Sequence, residues 1–129
     1  MHISAVALLV PEYDAGLAFY VGQAGFELIE DTELSATKRW VLIAPPGASE
    51  TRLLLAKADG PEQIAAIGNQ TGGRVGFFLH SDDFDRDFAA MKHAGVNFEE
   101  TPRVEPYGKV AVWRDPWGNR WDLLQLTSR

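Results

Sequence analysis

Apolar and polar positions follow two rhythms along this chain, and the order of those rhythms occurs twice. Residues 4–10, Ser-Ala-Val-Ala-Leu-Leu-Val, make a short apolar run closed by Pro11, the length and composition of a buried strand. Beyond it Tyr13, Leu17, Tyr20 and Ala24 fall on one face of a helix of about three turns, which Gly25 stops. Residues 26–30, 38–44 and 51–56 read as three strands, with Pro45, Pro46 and Gly47 turning the chain before the last. Residues 74–81 then start the order again. Phe84, Phe88 and Met91 repeat Tyr13, Leu17 and Tyr20 at a constant offset of 71, and Ala94-Gly95 stops the helix as Ala24-Gly25 did. Three further strands follow at residues 96–99, 109–114 and 120–126.

The duplication predicts an α+β fold of two β-α-β-β-β modules forming a curved mixed sheet around a central cleft, with the helices outside. The first module covers residues 1–57 and the second 74–129. The linker, 58–73, is rich in Gly, Asn and Gln, and its Ile64, Ala65 and Ile67 are spaced for a short helix. A chain of 129 residues has room for one domain. Its 46% hydrophobic residues can fill a core without staples.

Zero cysteines exclude disulfides, thiolate metal sites and a Cys nucleophile, and they fit a reducing cytoplasm, where the protein is expected. The net charge is −6, and no Lys/Arg block exceeds Lys38-Arg39, which argues against a nucleic-acid surface. The longest apolar runs, such as 6–10, are far short of a membrane span, and no basic segment leads into an apolar signal stretch, so no membrane is expected as a partner.

The run Asp115-Pro-Trp-Gly-Asn-Arg-Trp-Asp-Leu-Leu-Gln125 resembles the last hairpin of the glyoxalase, bleomycin-resistance and extradiol-dioxygenase superfamily, also called the vicinal-oxygen-chelate superfamily. The usual form there is Asp-Pro, a variable residue, Gly-Asn, two apolar residues and Glu. Val10-Pro-Glu-Tyr-Asp14, with Phe19-Tyr20 and Gly25-Phe26, is similar to the family's first strand-helix unit, and Tyr107-Gly108 leads into a segment similar to its penultimate strand. The likeness spans residues 3–125. The turn has a conformational role of its own: Pro116 presets φ, Gly118 accepts a positive φ, and Asp115 or Asn119 can hydrogen-bond the local backbone.

Metal-using members of the superfamily hold a divalent ion with His or Gln, Glu, His or Gln, and Glu. The resemblance carries those positions onto Ala5, Leu54, Gly76 and Asp122, of which Asp122 alone offers an oxygen. One carboxylate cannot fill a coordination sphere of about four to six positions. His2 lies an odd step from Ala5 and points to the other face, while His80 sits about 13 Å along its strand from Gly76 at ~3.3 Å per residue. His93 falls on the polar flank of the second helix. No metal and no cofactor are therefore expected.

The same layout makes an apolar cleft floor of Ala5, Ala7 and Leu9 on one strand and Gly76, Phe78 and His80 on its duplicate, with Leu54, Asp122 and Leu124 added. The small residues at 5, 7 and 76 are expected to leave volume. Of the four tryptophans, Trp40 and Trp113 are the expected ligand contacts ahead of Trp117 and Trp121. Asp122 has two readings, an ionised carboxylate hydrogen-bonded to Arg120 or Arg114, or a partly desolvated one with a raised pKa that acts as base or holds a cation. The acidic run 82–87 is expected to start a helix.

None of Ser4, Ser35, Ser49, Ser81 and Ser128 sits in a nucleophile elbow, and Thr71-Gly72-Gly73 precedes a strand and so is no phosphate loop. No catalytic residue is assigned. The expected function is metal-free binding of a small aromatic or cationic molecule by a homodimer. The alternatives are a metal-dependent glyoxalase-like lyase or dioxygenase with ligands placed elsewhere, and a non-catalytic interaction module with a vestigial pocket.

Overall fold

The computed structural model describes residues 1–127, so Ser128 falls outside the described residues. The chain divides into two compact units, Met1–Gln70 and the chain from Thr71 onward. Together they make an α+β protein with two mixed sheets and three helices among the described residues. No helix in it is long and apolar enough to cross a membrane.

In the first unit the strands are β1 (Ala5–Val10), β2 (Glu27–Glu33), β3 (Arg39–Ala44) and β4 (Arg52–Lys57), with helices α1 (Tyr13–Tyr20) and α2 (Gly60–Ala66). The sheet order is β1-β4-β3-β2, with β1 parallel to β4 and the other pairs antiparallel. Helix α1 lies close on this sheet at Gly16, where a Cβ would meet Leu55 Cδ1 at 3.0 Å and Val10 Cγ1 at 3.1 Å. The covered face follows from that contact. Leu8, Val10, Val41, Ile43 and Leu55 have no exposed surface, and burial of each such side chain contributes about 1.5–3 kcal/mol.

Helix α1 is shorter than the sequence pattern predicts. After Tyr20 the backbone loosens, with Gly22 N–H bonded to Leu17 O at 3.2 Å and Ala24 N–H to Phe19 O at 2.8 Å, before Gly25 turns at φ +85°. Ala24 is still buried, which is why it reads as part of the helical stripe.

The second unit contains β5 (Val75–His80), α3 (Phe84–His93), β6 (Asn97–Phe98), β7 (Arg103–Glu105), β8 (Gly108–Arg114) and β9 (Arg120–Leu126). Its order, β5-β9-β8-β6 with β5 parallel to β9, repeats the first sheet, and β7 also pairs with β8. The expected strand at 96–99 is the shorter β6, and β7 is a further strand that the sequence pattern does not predict. Pro102, without an N–H, stands between them.

The acidic run does start a helix, since the Asp83 carboxylate accepts the Arg86 N–H at 3.2 Å. At the other end Val96 N–H bonds Met91 O, Gly95 N–H bonds Lys92 O, and Gly95 takes φ +94°. These are the two bonds of a Schellman cap, closed by burial of Met91 and Val96. In the last turn Asp115 is buried, and its Oδ1 accepts the N–H groups of Trp117, Gly118 and Asn119 at 2.9–3.0 Å.

Candidate functional site

Strand alternation decides which side chains of the first unit escape the helix. Leu8 pairs with Leu55 on the covered face, whereas Ala7 and Leu42 both pair with Leu54. The period of two then places Ala5, Ala7, Leu9, Leu54 and Trp40 on the face away from α1. Ala5, Leu9 and Leu54 are half-buried, Ala7 is exposed and Trp40 is 38% exposed.

Where β3 begins and β4 ends, a cavity of about 640 Å³ opens. Trp40, Leu54 and Ala56 line it from the uncovered face, Tyr13 and Arg39 from the helix side, and Asp59 and Gln63 from the segment that leads into α2. Ala5, Ala7 and Leu9 are not among its walls.

The charged groups on this cavity are mostly fixed. Arg39 pairs with Asp31 at 2.6 Å and with Asp14 at 2.8 Å, and its guanidinium lies 5.2 Å from the centre of the Tyr13 ring. Lys57 pairs with Glu12 at 3.2 Å. Trp40 supplies the exposed aromatic surface, so the cavity combines a flat apolar platform with a rim of hydrogen-bonding groups. That is the usual make-up of a small-molecule pocket, and its volume lies within the usual range of about 300–1,000 Å³.

In the second unit Gln125 marks the helix side, because its Oε1 accepts the Phe84 N–H at 2.8 Å and its Nε2 donates to Asp82 O at 3.0 Å. Alternation places Trp121, and its cross-strand partner Trp113, on that side too. The two indoles stack at 4.8 Å, and Phe77 stacks on Trp121 at 4.6 Å. Trp113, expected as a ligand contact, is instead a core residue with no exposed surface.

Asp122, Leu124, Phe78 and His80 lie on the opposite face, in register with Val112 and Val110. Phe78 is 60% exposed and His80 exposed, whereas Leu124 is buried. Gly76 does not leave volume as expected: a Cβ there would overlap the Thr71 side chain, whose hydroxyl is held by Arg74 O at 2.8 Å.

Asp122 is half-buried and accepts no hydrogen bond among the described residues. The two arginines expected to hold it are engaged by Glu99, with Arg114 at 2.8 Å and Arg120 at 2.9 Å. Burial pushes the Asp122 carboxyl above its ordinary range, Arg103 and Arg120 pull it back in part, and Glu100 pushes it further up. The Asp122 carboxyl is thus partly desolvated, and neither Arg120 nor Arg114 hydrogen-bonds it.

The positions that the superfamily uses for a metal do not fit one here. Ala5, Leu54 and Gly76 have no donor atom in their side chains, and among the described residues no three His, Asp or Glu side chains gather as an ion site. Sequence reasoning missed Tyr13, Arg39 and Gln63 as cavity walls. Tyr13 carried only a core signal, and the pairing of Arg39 with Asp14 and Asp31 joins residues that no periodicity connects.

The family model described as Glyoxalase/Bleomycin resistance protein/Dioxygenase superfamily matches residues 2–123. An uncharacterized protein of Shewanella frigidimarina (strain NCIMB 400) is 50% identical over 125 residues, covering 96% of this chain and 93% of that protein. Among solved structures, TnmS3, an antibiotic binding protein from Streptomyces sp. CB03234, is 31% identical with a TM-score of 0.80, covering 98% of this chain and 97% of that one. UcmS2 is 28% identical with a TM-score of 0.83, covering 96% and 97%.

Proposed function

We propose that this chain, which belongs to the Glyoxalase/Bleomycin resistance protein/Dioxygenase superfamily, binds and sequesters a small aromatic molecule without the help of a metal. The observation that carries the reading is the cavity of about 640 Å³ with Trp40 exposed on its wall. An indole face gives a planar ligand offset stacking, worth about 0.5–1.5 kcal/mol beyond the area it buries. Support also comes from TnmS3, since that similar protein is an antibiotic binding protein.

Asp122 adds a second element. A carboxylate without a hydrogen-bonding partner, on the same face as Phe78 and Leu124, favours a positively charged group over a neutral one. Asp122 is not among the walls of the Trp40 cavity, so the preference for a cation is a separate reading that belongs to the second unit alone. A homodimer belongs to the proposed function, because β2 lies at the edge of its sheet with every residue exposed and exposed edges invite a second copy. A monomer mass by light scattering at micromolar concentration would count against the dimer.

The test is calorimetric titration with a panel of planar aromatic compounds, each offered in neutral and cationic form. Trp40→Ala should weaken both forms about tenfold. For a compound that binds the second unit, Asp122→Asn should weaken the cationic form by ~1–3 kcal/mol and leave the neutral one nearly unchanged. Equal losses for both forms in Asp122→Asn would assign that residue to the fold. Added Zn²⁺, Ni²⁺ or Mn²⁺ should leave the melting temperature unchanged, and a rise abolished by Asp122→Ala would overturn the metal-free reading.

A further inference from the structure

Residues 58–70 are held on the first unit in an unusual way. The helix within them, α2, buries none of its residues, and Ile64 on it is 58% exposed. Ala66 and Ile67 are only half-buried, so little apolar surface fastens this segment. Gly60, the first residue of α2, takes φ +83°, and Gly68, two residues past its end, takes φ +74°, conformations that glycine adopts without strain.

Its far end is fastened by one side chain. Gln70 Oε1 accepts the Leu9 N–H at 2.8 Å, and Gln70 Nε2 donates to Ala7 O at 2.7 Å. These two groups belong to the outer edge of β1, where no strand pairs. The side-chain amide thus stands where the peptide group of a neighbouring strand would stand. Its near end continues from β4, with Ala58 N–H bonded to Val10 O at 2.9 Å. Between the two ends, Asp59 and Gln63 form part of the cavity wall, and Gln63 Oε1 accepts the Asp59 N–H at 2.9 Å.

We infer that residues 58–70 are a strap that opens and closes the Trp40 cavity, with Gln70 as its latch. The gating role rests on the reading of that cavity as the ligand site; the latch itself does not. A segment with no fully buried side chain separates from its unit at low free energy, and its far end is fastened by the two solvent-exposed hydrogen bonds of Gln70 together with half-buried Ile67.

The experiment is hydrogen exchange by mass spectrometry on the whole ligand-free protein, wild type against Gln70→Ala, with Gln70→Glu as the conservative variant. Loss of the latch should speed exchange across residues 60–69 about tenfold while Leu8 and Val10 keep their protection. Gln70→Glu keeps the acceptor for Leu9 but lacks the donor for Ala7, and it should exchange faster than wild type. Unchanged exchange over 60–69 in Gln70→Ala would overturn the latch.

The second readout is acrylamide quenching of Trp40, taken as the difference between each protein and its Trp40→Phe counterpart. Quenching should rise about twofold in Gln70→Ala, and faster exchange without a change in quenching would overturn the gating. Neither readout uses a ligand, so a failure of the ligand reading remains separable from a failure of the strap. Should Gln70→Ala not fold, Gln70→Asn, one methylene too short to span both groups, makes the same test.

Discussion

Asp122 and Glu99 differ in how their charge is compensated, and they make opposite predictions. Burial raises the Asp122 carboxyl and no hydrogen bond offsets it. A folded pKa above the unfolded one means that stability falls as pH rises between the two values. Asp122→Asn should therefore be more stable than the wild type at pH 7, with the advantage shrinking as pH drops through the ordinary carboxylate range. Urea midpoints at several pH values measure this, and an advantage that grows in acid would contradict it. Burial also acts to raise Glu99, but hydrogen bonds from Arg120 and Arg114 outweigh it and hold the carboxyl below its usual range. Glu99→Gln should cost about 1 kcal/mol at neutral pH, discounted for exposure of the arginines. That cost should fade as pH falls through the lowered folded value. Neither contrast was legible in the sequence, because the arginines beside Asp122 along the chain are turned to Glu99 by the sheet.

The elements were readable wherever a period and a stop signal coincide. Helix α3 has both, with Phe84 and Met91 buried on one face and Gly95 in its cap, and its expected extent survives in the structure. Helix α1 has the period without the regularity, since the buried Ala24 extends the stripe past the last helical turn. Strand β7 carries little signal because Arg103, Val104 and Glu105 are paired by β8 and not selected by burial. The turn between β8 and β9 was legible as Asp-Pro-Trp-Gly-Asn, and its energetics can now be stated. Asp115→Ala removes the acceptor of the Trp117 and Asn119 N–H groups and of the Asn119 amide, which donates to Asp115 Oδ2 at 2.6 Å, and leaves Gly118 N–H only the Asp115 carbonyl at 3.2 Å. The loss should be about 2–4 kcal/mol by chemical denaturation, and a change within ~0.5 kcal/mol would mean that the turn holds itself.

For the molecule as a whole, the fold was legible because the hydrophobic period separates strand from helix, the same element order occurs twice, and the run from Asp115 to Gln125 resembles a known hairpin. The site was legible only by parity. Alternation correctly set Ala7 and Leu9 apart from Leu8, yet the chain gives no sign that Trp113 and Trp121 stack under α3 while Trp40 stays exposed. That depends on which face each helix covers, a choice made by contacts such as Gly16 on Val10 and Leu55. The proposed function depends on the entry of an aromatic ligand into the cavity beside Trp40. It is tested most directly by fluorine NMR of the protein labelled with 5-fluorotryptophan, titrated with whichever planar aromatic compound binds by calorimetry. The Trp40 resonance, assigned by Trp40→Phe, should shift and saturate with the ligand while Trp113 and Trp121 hold their positions. A ligand that saturates the protein and leaves the Trp40 resonance in place would contradict the account.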